Sequence, residues 1–338
     1  MDTHAQPDAQ PDAQPATTPR KPRRLATWTS VLLLITTAPV LTSRALGIDA
    51  ITPVPQLLAF LPWLLAPALL AAVLGALARR PVLIALGLAL AAVTAWFLRP
   101  YGDLAAPTGP VLAKLRVLTS NVEFGGATTA LLDAVRREKP DLLFVQECNQ
   151  VCSDALAREL PPASYPYREV VEASGAEGSA ILSTHPLKPA PGLPSTLAMP
   201  GAVAVVNGRA VRLRLAHPLP PVPGLVDRWK HELGTIERYV AEGGGPTLVA
   251  GDFNASQDHA AFRRVLDAGN GLRDAAALAG ASRTPTWPAK TAKTAVALGA
   301  QIDHVLVSKE FGTRSARFVD LPGTDHRALL VELELHGG

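Results

Sequence analysis

Between residues 25 and 98 only Arg44, Asp49, Arg79 and Arg80 carry a formal charge, and the remainder is mostly Leu, Ala, Val, Ile and Pro. So apolar a stretch lacks the polar surface to cover a water-soluble domain, and about 17 to 25 apolar residues suffice for a helix to cross a bilayer. It predicts three transmembrane helices, near residues 25–43, 54–78 and 82–98. The first carries several Thr and Pro39, and with Arg20, Lys21, Arg23 and Arg24 before it has the layout of a signal peptide. Two more hydrophobic stretches follow, so an anchor is the better reading.

Lys and Arg beside membrane spans are retained on the cytoplasmic side. The cluster before the first span and Arg79-Arg80 between the second and third are both cytoplasmic when the tail is inside and the number of spans is odd. Whatever follows residue 98 then lies outside the cell membrane. Residues 1–24, built on a Gln-Pro-Asp-Ala repeat without large apolar side chains, read as a disordered cytoplasmic tail. Residues 99–111 read as a linker.

Residues 112–338 alternate strand and helix signals. Strands are expected at 115–120, 141–146, 179–183, 202–206, 210–216, 246–250, 302–307 and 328–335, with amphipathic helices at 128–139 and 227–242. The hairpin-like pair around Asn207-Gly208 argues against an all-parallel sheet. Two mixed sheets packed face to face with helices outside fit the pattern.

Polar groups gather at the ends of these strands: Asn121, Glu147, Asp252 with Asn254, Asp303, and Asp325-His326. One such residue would mean little, whereas a set at strand edges marks a site on an α/β scaffold. The order Asn121, Gln146-Glu147, Ser179 to Ser183, His217, Gly251-Asp252-Phe253-Asn254, Asp303-His304 and Asp325-His326 resembles the endonuclease/exonuclease/phosphatase superfamily across residues 112–335. The resemblance implies an α/β four-layer sandwich of two mixed β-sheets flanked by helices, here preceded by an N-terminal transmembrane helical region.

It also implies roles. Carboxylate and amide oxygens suit a hard divalent cation, Mg²⁺ or Mn²⁺, and the family pattern places Glu147, Asp325 and Asn121 around it. Asp252 would orient and activate the attacking water. Asn254 would donate to a phosphoryl oxygen without adding negative charge; the alternative for this pair is a turn that closes the strand. Asp303 would hold His326 as an imidazolium facing the transition state, and His217 would contact phosphate. His304, His185, His231 and His259 are read as structural or surface residues. Trp287 is left open between a pocket wall and a core plug.

Charge narrows the substrate. Up to residue 109 lie 8 of the 32 Lys/Arg and 5 of the 29 Asp/Glu, leaving 24 of each in the rest. A formally neutral domain argues against nucleic acid, whose binding needs a basic excess. Cys148 and Cys152 could bridge in an oxidising compartment or pack as small apolar residues, and spacing does not decide between them.

The leading reading is a membrane-anchored phosphoesterase acting on a lipid-linked phosphate or pyrophosphate. More narrowly, three spans followed by such a domain resemble the actinobacterial VanJ type of teicoplanin-resistance proteins, which implies an undecaprenyl-pyrophosphate substrate and a role in glycopeptide resistance. The competing readings are a tethered extracytoplasmic nuclease and a non-catalytic module that binds a cell-wall ligand.

Overall fold

The computed structural model describes residues 20–289 and 298–337. The expected disordered tail lies outside them except for residues 20–24, which open the first helix. The apolar region forms α1 (Arg20–Leu46), α2 (Val54–Ala59), a 3-10 helix (Leu61–Leu64), α3 (Leu65–Leu77) and α4 (Pro81–Phe97). By length and composition Pro22–Leu46 can cross a membrane, whereas Leu61–Leu77 and Pro81–Phe97 are shorter apolar helices. The expected unbroken span over residues 54–78 is therefore divided. Pro62, which lacks an N–H and cannot continue an α-helical ladder, sits in the 3-10 turn that divides it.

Small residues let the long helices approach closely. A Cβ on Gly87 would collide with Ala72 and one on Gly75 with Ile84 and Leu83, while Ser30 Oγ donates to the Ala71 carbonyl at 2.8 Å. Val40, Leu41, Leu58 and Leu61 fill the interior at the other end, yet Leu25, Trp28, Leu32, Leu70, Leu86 and Trp96 face outward. The helical region thus presents large apolar side chains on its outer surface.

Beyond the helices, burial on both faces explains the near-continuous apolar runs of the central strands. The strands are β1 (Val111–Asn121), β2 (Leu142–Gln146), β3 (Tyr167–Val171), β4 (Ser179–Ser183), β5 (Leu187–Leu193), β6 (Met199–Val206), β7 (Arg209–Ala216), β8 (Thr247–Asp252), β9 (Arg273–Asp274), β10 (Asp303–Val307), β11 (Phe311–Asp320) and β12 (Arg327–His336). They form two six-stranded sheets, ordered β11-β12-β1-β2-β4-β3 and β5-β6-β7-β8-β10-β9. Each sheet has one parallel pair at its centre, β1 with β2 and β7 with β8, and is otherwise antiparallel. The crossovers are α5 (Thr128–Glu138) and α7 (Val226–Ala241), with α6 (Gln150–Glu159), α8 (Ala260–Asp267) and α9 (Ala275–Leu278) elsewhere.

Strand alternation sorts the side chains. Leu115, Val117, Leu142, Phe144, Leu213, Leu215, Leu248, Ala250 and Val305 meet between the sheets. Their neighbours Leu118, Leu143 and Val145 pack against α5 and α6, and Val249 and Leu306 pack against α7 and α8. This is the expected four-layer sandwich of two mixed sheets flanked by helices.

Four strands escaped the sequence pattern, namely β3, β5, β9 and β11, and they are the four sheet edges. Edge strands need not alternate strictly, and Pro189 and Pro191 are tolerated in β5 because an edge leaves one side of the ladder unpaired.

The helical region is clamped to the α/β domain. Asp258, wholly buried, pairs with Arg44 of α1 (3.0 Å) and with Arg283 (2.6 Å), and Arg283 Nε also donates to the Leu98 carbonyl (3.1 Å). The expected linker is pinned too: Gln257 Nε2 donates to the Arg99 carbonyl and the Tyr101 hydroxyl to Asp267.

Candidate active site

The inward-facing rows of the strands run out of apolar residues at one end, and there the polar groups appear. On β1 the row Leu115, Val117, Thr119 ends at Asn121; on β8 Leu248 and Ala250 lead to Asp252; on β10 Val307 and Val305 lead back to Asp303. The row of β7, Val211, Leu213 and Leu215, reaches His217 just past the strand. Asp252 and Asp303 are direct register partners. The site is thus the polar end of the inter-sheet core, and the eight expected residues converge on it.

Cross-sheet bonds hold it. Asn121 Nδ2 donates to Glu147 Oε1 (3.0 Å) and to Asp252 Oδ2 (3.1 Å), while Asn121 Oδ1 accepts the Glu123 N–H (3.0 Å). His326 Nδ1 lies 3.0 Å from Asp303 Oδ2, and its Nε2 is 3.8 Å from both Asp252 and Asp325. His217 Nε2 is 3.9 Å from Glu147 Oε1. Asp252 Oδ1 accepts the Asn254 N–H (2.8 Å), and Asn254 Nδ2 donates to the Pro218 carbonyl.

Local backbone makes the placement possible. Gly251 has φ of +151°, and a Cβ there would run into the Ala216 carbonyl of the neighbouring β7. Phe253 is fully buried, edge-on to Phe262 at 5.2 Å between ring centroids, and such burial contributes roughly 1.5–3 kcal/mol toward anchoring the turn. Glu123, Phe124, Glu147 and Asn254 all have positive φ, from 45° to 56°. Four non-glycine residues in that region around one cleft are strain of the kind kept at functional sites.

The two histidines differ in charge. Burial opposes the imidazolium of His326, but the carboxylates of Asp303 and Asp252 outweigh it and raise its pKa well above the ordinary value. His217 is pushed down to about 3 by burial, and further by the His326 charge, so it is neutral. Burial, and then the Asp303 charge, push Asp252 up, which keeps its carboxylate a competent proton acceptor.

The tightest grouping of ligand atoms, all within 4.8 Å, is Asp252, Asp303 and His326. This is not the expected Asn121, Glu147 and Asp325 set. Within this trio the Asp303 carboxylate is already engaged by His326 Nδ1 at 3.0 Å, the geometry of a charge pair. The all-oxygen set of Glu147, Asp325 and Asn121 fits a hard divalent cation better. Glu147 and Asp325 are also more open, with side chains 16% and 29% exposed against 2% for Asp252.

Two neighbours extend the expected site. Glu123 Oε2 accepts the Asp325 N–H at 2.7 Å, and its only sequence signal was an acid two residues beyond Asn121. Trp287 resolves to a pocket wall: its Nε1 donates to Asp325 Oδ2 at 3.0 Å. His304 faces away, bonded to Asp274 at 2.8 Å. Cys148 and Cys152 form a disulfide directly after Glu147.

These groups open into a cleft of about 530 Å³ whose lining includes Glu123, Glu147, His217, Asp252, Asn254, Asp325 and His326, together with Pro55, Ala59 and Phe60 of the helical region. A second cleft, lined by Lys114, Arg116, Lys139 and Arg314, lies toward the opposite end of β1 and contains none of the site groups.

A sequence profile of the Endonuclease/Exonuclease/phosphatase family matches residues 118–326. A comparison with curated proteins finds no match. Among solved structures, a humanized D. rerio TDP2 superposes with a TM-score of 0.54 at 15% identity, covering 65% of this chain and 98% of that one. The human nocturnin catalytic domain with bound sulfate gives 0.51 at 15% identity, over 68% and 96%. An AP endonuclease from Archaeoglobus fulgidus gives 0.50 at 16% identity, over 64% and 98%. At these identities the likeness speaks for the fold, while the profile spans more than half of the chain and takes in every expected site residue. The chain belongs to the endonuclease/exonuclease/phosphatase family, whose members hydrolyse phosphoester bonds.

Proposed function

We propose that this protein is a membrane-anchored, metal-dependent phosphoesterase that hydrolyses a phosphate or pyrophosphate head group carried by a membrane lipid. One observation carries the reading: the phosphate-handling residues and the apolar helical region line the same cleft, and among its described residues there is no Lys or Arg. A nucleic-acid site would need cations along the strand.

The chemistry follows from the side chains. A phosphoester resists attack because its oxygens are already anionic. Asp252 accepts a proton from the attacking water, oriented by the amide of Asn121. His326, charged and fixed by Asp303, meets the charge that develops on the phosphoryl oxygens. Neutral His217 and Asn254 add contacts without adding negative charge. Glu147, Asp325 and Asn121 would hold Mg²⁺ or Mn²⁺, which when bound supplies Lewis-acid neutralisation of phosphate oxygens.

Orientation enters as part of the same proposal. The α/β domain is clamped at the Leu46 and Phe97 ends of α1 and α4, opposite the ends that adjoin Arg23, Arg24, Arg79 and Arg80. With those cations cytoplasmic, the domain is extracytoplasmic. The resemblance to VanJ-type proteins supports the narrower reading of an undecaprenyl-pyrophosphate-like substrate and a part in teicoplanin resistance.

Solubilised full-length protein with Mg²⁺ should release phosphate from a polyprenyl pyrophosphate or a phospholipid phosphate, and Asp252→Asn should abolish the release. Plasmid nicking by the wild type without phosphate release from either lipid would overturn the proposal in favour of a tethered nuclease. A reporter fused after residue 98 that is active only in the cytoplasm would overturn the orientation.

A further inference from the structure

The cleft has two unlike ends. One carries the carboxylates and histidines; the other is walled by Ala59, Phe60, Leu197, Leu219, Pro221 and Val222. Ala59 ends α2 and Phe60 joins it to the 3-10 helix, while three come from the loop that follows His217. That loop, Pro218-Leu219-Pro220-Pro221-Val222-Pro223, is rich in residues without an N–H to offer a head group.

The apolar end is built rather than incidental. Gln56 Nε2 donates to the Pro221 carbonyl, which ties α2 to the loop. Glu232, buried on α7, accepts the N–H of Leu219 and that of Thr196, each at 2.8 Å, and so fixes the loop from behind. Phe60 lies tilted against Trp287 with centroids 6.3 Å apart, and Trp287 bonds to Asp325. Two side chains therefore connect the helical region to a carboxylate of the site. Leu57 and Val222, neighbours of the tied pair, are exposed, so the apolar wall continues to the outer surface of the helices.

Resting on the function proposed above, we infer that the helical region is part of the substrate site. The seam between α2 and the loop at residues 218–222 seats the hydrocarbon chain of the phosphate-bearing substrate, and Ala59, Phe60 and Val222 determine chain specificity. Among the described residues walling that end, a nucleoside or sugar leaving group would find one polar side chain, Gln56, whose Nε2 is committed to Pro221 and whose Oε1 offers a single acceptor. A methylene chain needs nothing but apolar surface, and each buried CH₂ favours binding.

The test compares substrates that share a head group and differ in chain. Full-length protein in detergent micelles is assayed with a polyprenyl pyrophosphate against isopentenyl pyrophosphate, and with diacyl phosphatidate against glycerol 3-phosphate. The chained member of at least one pair should have a kcat/KM higher by roughly a hundredfold, the size expected from burying a few methylenes. The pair that shows the preference distinguishes isoprenoid from acyl. Val222→Asp, at an exposed position, and Ala59→Trp should each reduce that ratio about tenfold or more. Should Ala59→Trp fail to fold, Val222→Asp decides alone. Hydrolysis of both members at ratios that neither variant moves overturns the chain seat and leaves the phosphoesterase standing. Release of phosphate from none of the four overturns both.

Discussion

In one sheet the parallel pair β1 and β2 ends at Asn121 and Glu147; in the other the parallel pair β7 and β8 ends at His217 and Asp252. Glu147 follows the register pair Asn121 and Gln146 as Asp252 follows the pair Ala216 and Gly251. The strand orders match as well, so two copies of one diagram face each other with different chemistry at equivalent ends. The first sheet presents Glu147 and Asp325, partly exposed and rich in oxygen. The second presents Asp252, Asp303 and His217, with side chains at most 2% exposed. Wet oxygens suit a hydrated cation, whereas dry, closely paired groups shift pKa values and move protons. On the function proposed above, one fold divides ion holding from proton handling, and His326 and Asn121 cross over, each carried by the first sheet and bonded to the second.

The comparison breaks most visibly at Asp252. Asp252→Asn keeps shape and the bond from the Asn254 N–H but removes the proton acceptor, so kcat should fall by about 10⁴-fold, the upper range for a lost general base. Circular dichroism and Mn²⁺ affinity should stay near wild type, because the residue belongs to the dry half. A large loss of ion affinity instead would move Asp252 to the other half. Asp303→Asn comes next: His326 loses the partner at 3.0 Å, and kcat should drop by about 10²- to 10³-fold. Its diagnostic readout is the His326 imidazole resonance in NMR, which should titrate at lower pH than in the wild type. An unmoved titration would show that Asp303 does not hold the charge.

Glu147→Gln tests the wet half. The substitution leaves an amide where the cation wants charge, and Mn²⁺ affinity measured by calorimetry should weaken by about 10- to 100-fold. Activity should recover substantially at high Mn²⁺, as it should not for Asp252→Asn. Equal rescue of both variants would erase the distinction between the sheets.

Much of this was legible in sequence because one rule serves both core and site. Alternation that buries Leu248 and Ala250 also delivers Asp252, and the run Val305, Val307 points Asp303 inward while turning His304 out. The edge strands and the division of residues 54–78 were not legible, because edge pairing and a 3-10 turn leave no strong period. Nor was Glu123, whose role depends on a left-handed backbone turn and on an N–H from a segment 202 residues away. The apolar wall of the cleft was hidden for the same reason: it exists only where α2 meets the loop after His217.

The smallest expected effect concerns how the two halves are held. Asp252 sits on a strand gripped from both sides and is followed by buried Phe253, so the dry half is set by the core. Glu147 lies just past β2 with φ of +56°, tied by Asn121 and by the Phe124 N–H at 3.1 Å. Directly after it, the Cys148–Cys152 disulfide closes a short loop against α6, where Asn149 also caps the helix through the Cys152 N–H. Closing a loop of that length restricts the unfolded chain by about 2 kcal/mol. The double variant Cys148→Ser, Cys152→Ser should lose stability of about that size in urea unfolding. It should also weaken Mn²⁺ binding by less than Glu147→Gln does, with kcat at saturating Mn²⁺ nearly unchanged. A fall in kcat as large as that of Asp303→Asn would mean that the staple reaches the dry half, and the two sheets could no longer be treated as separately supported.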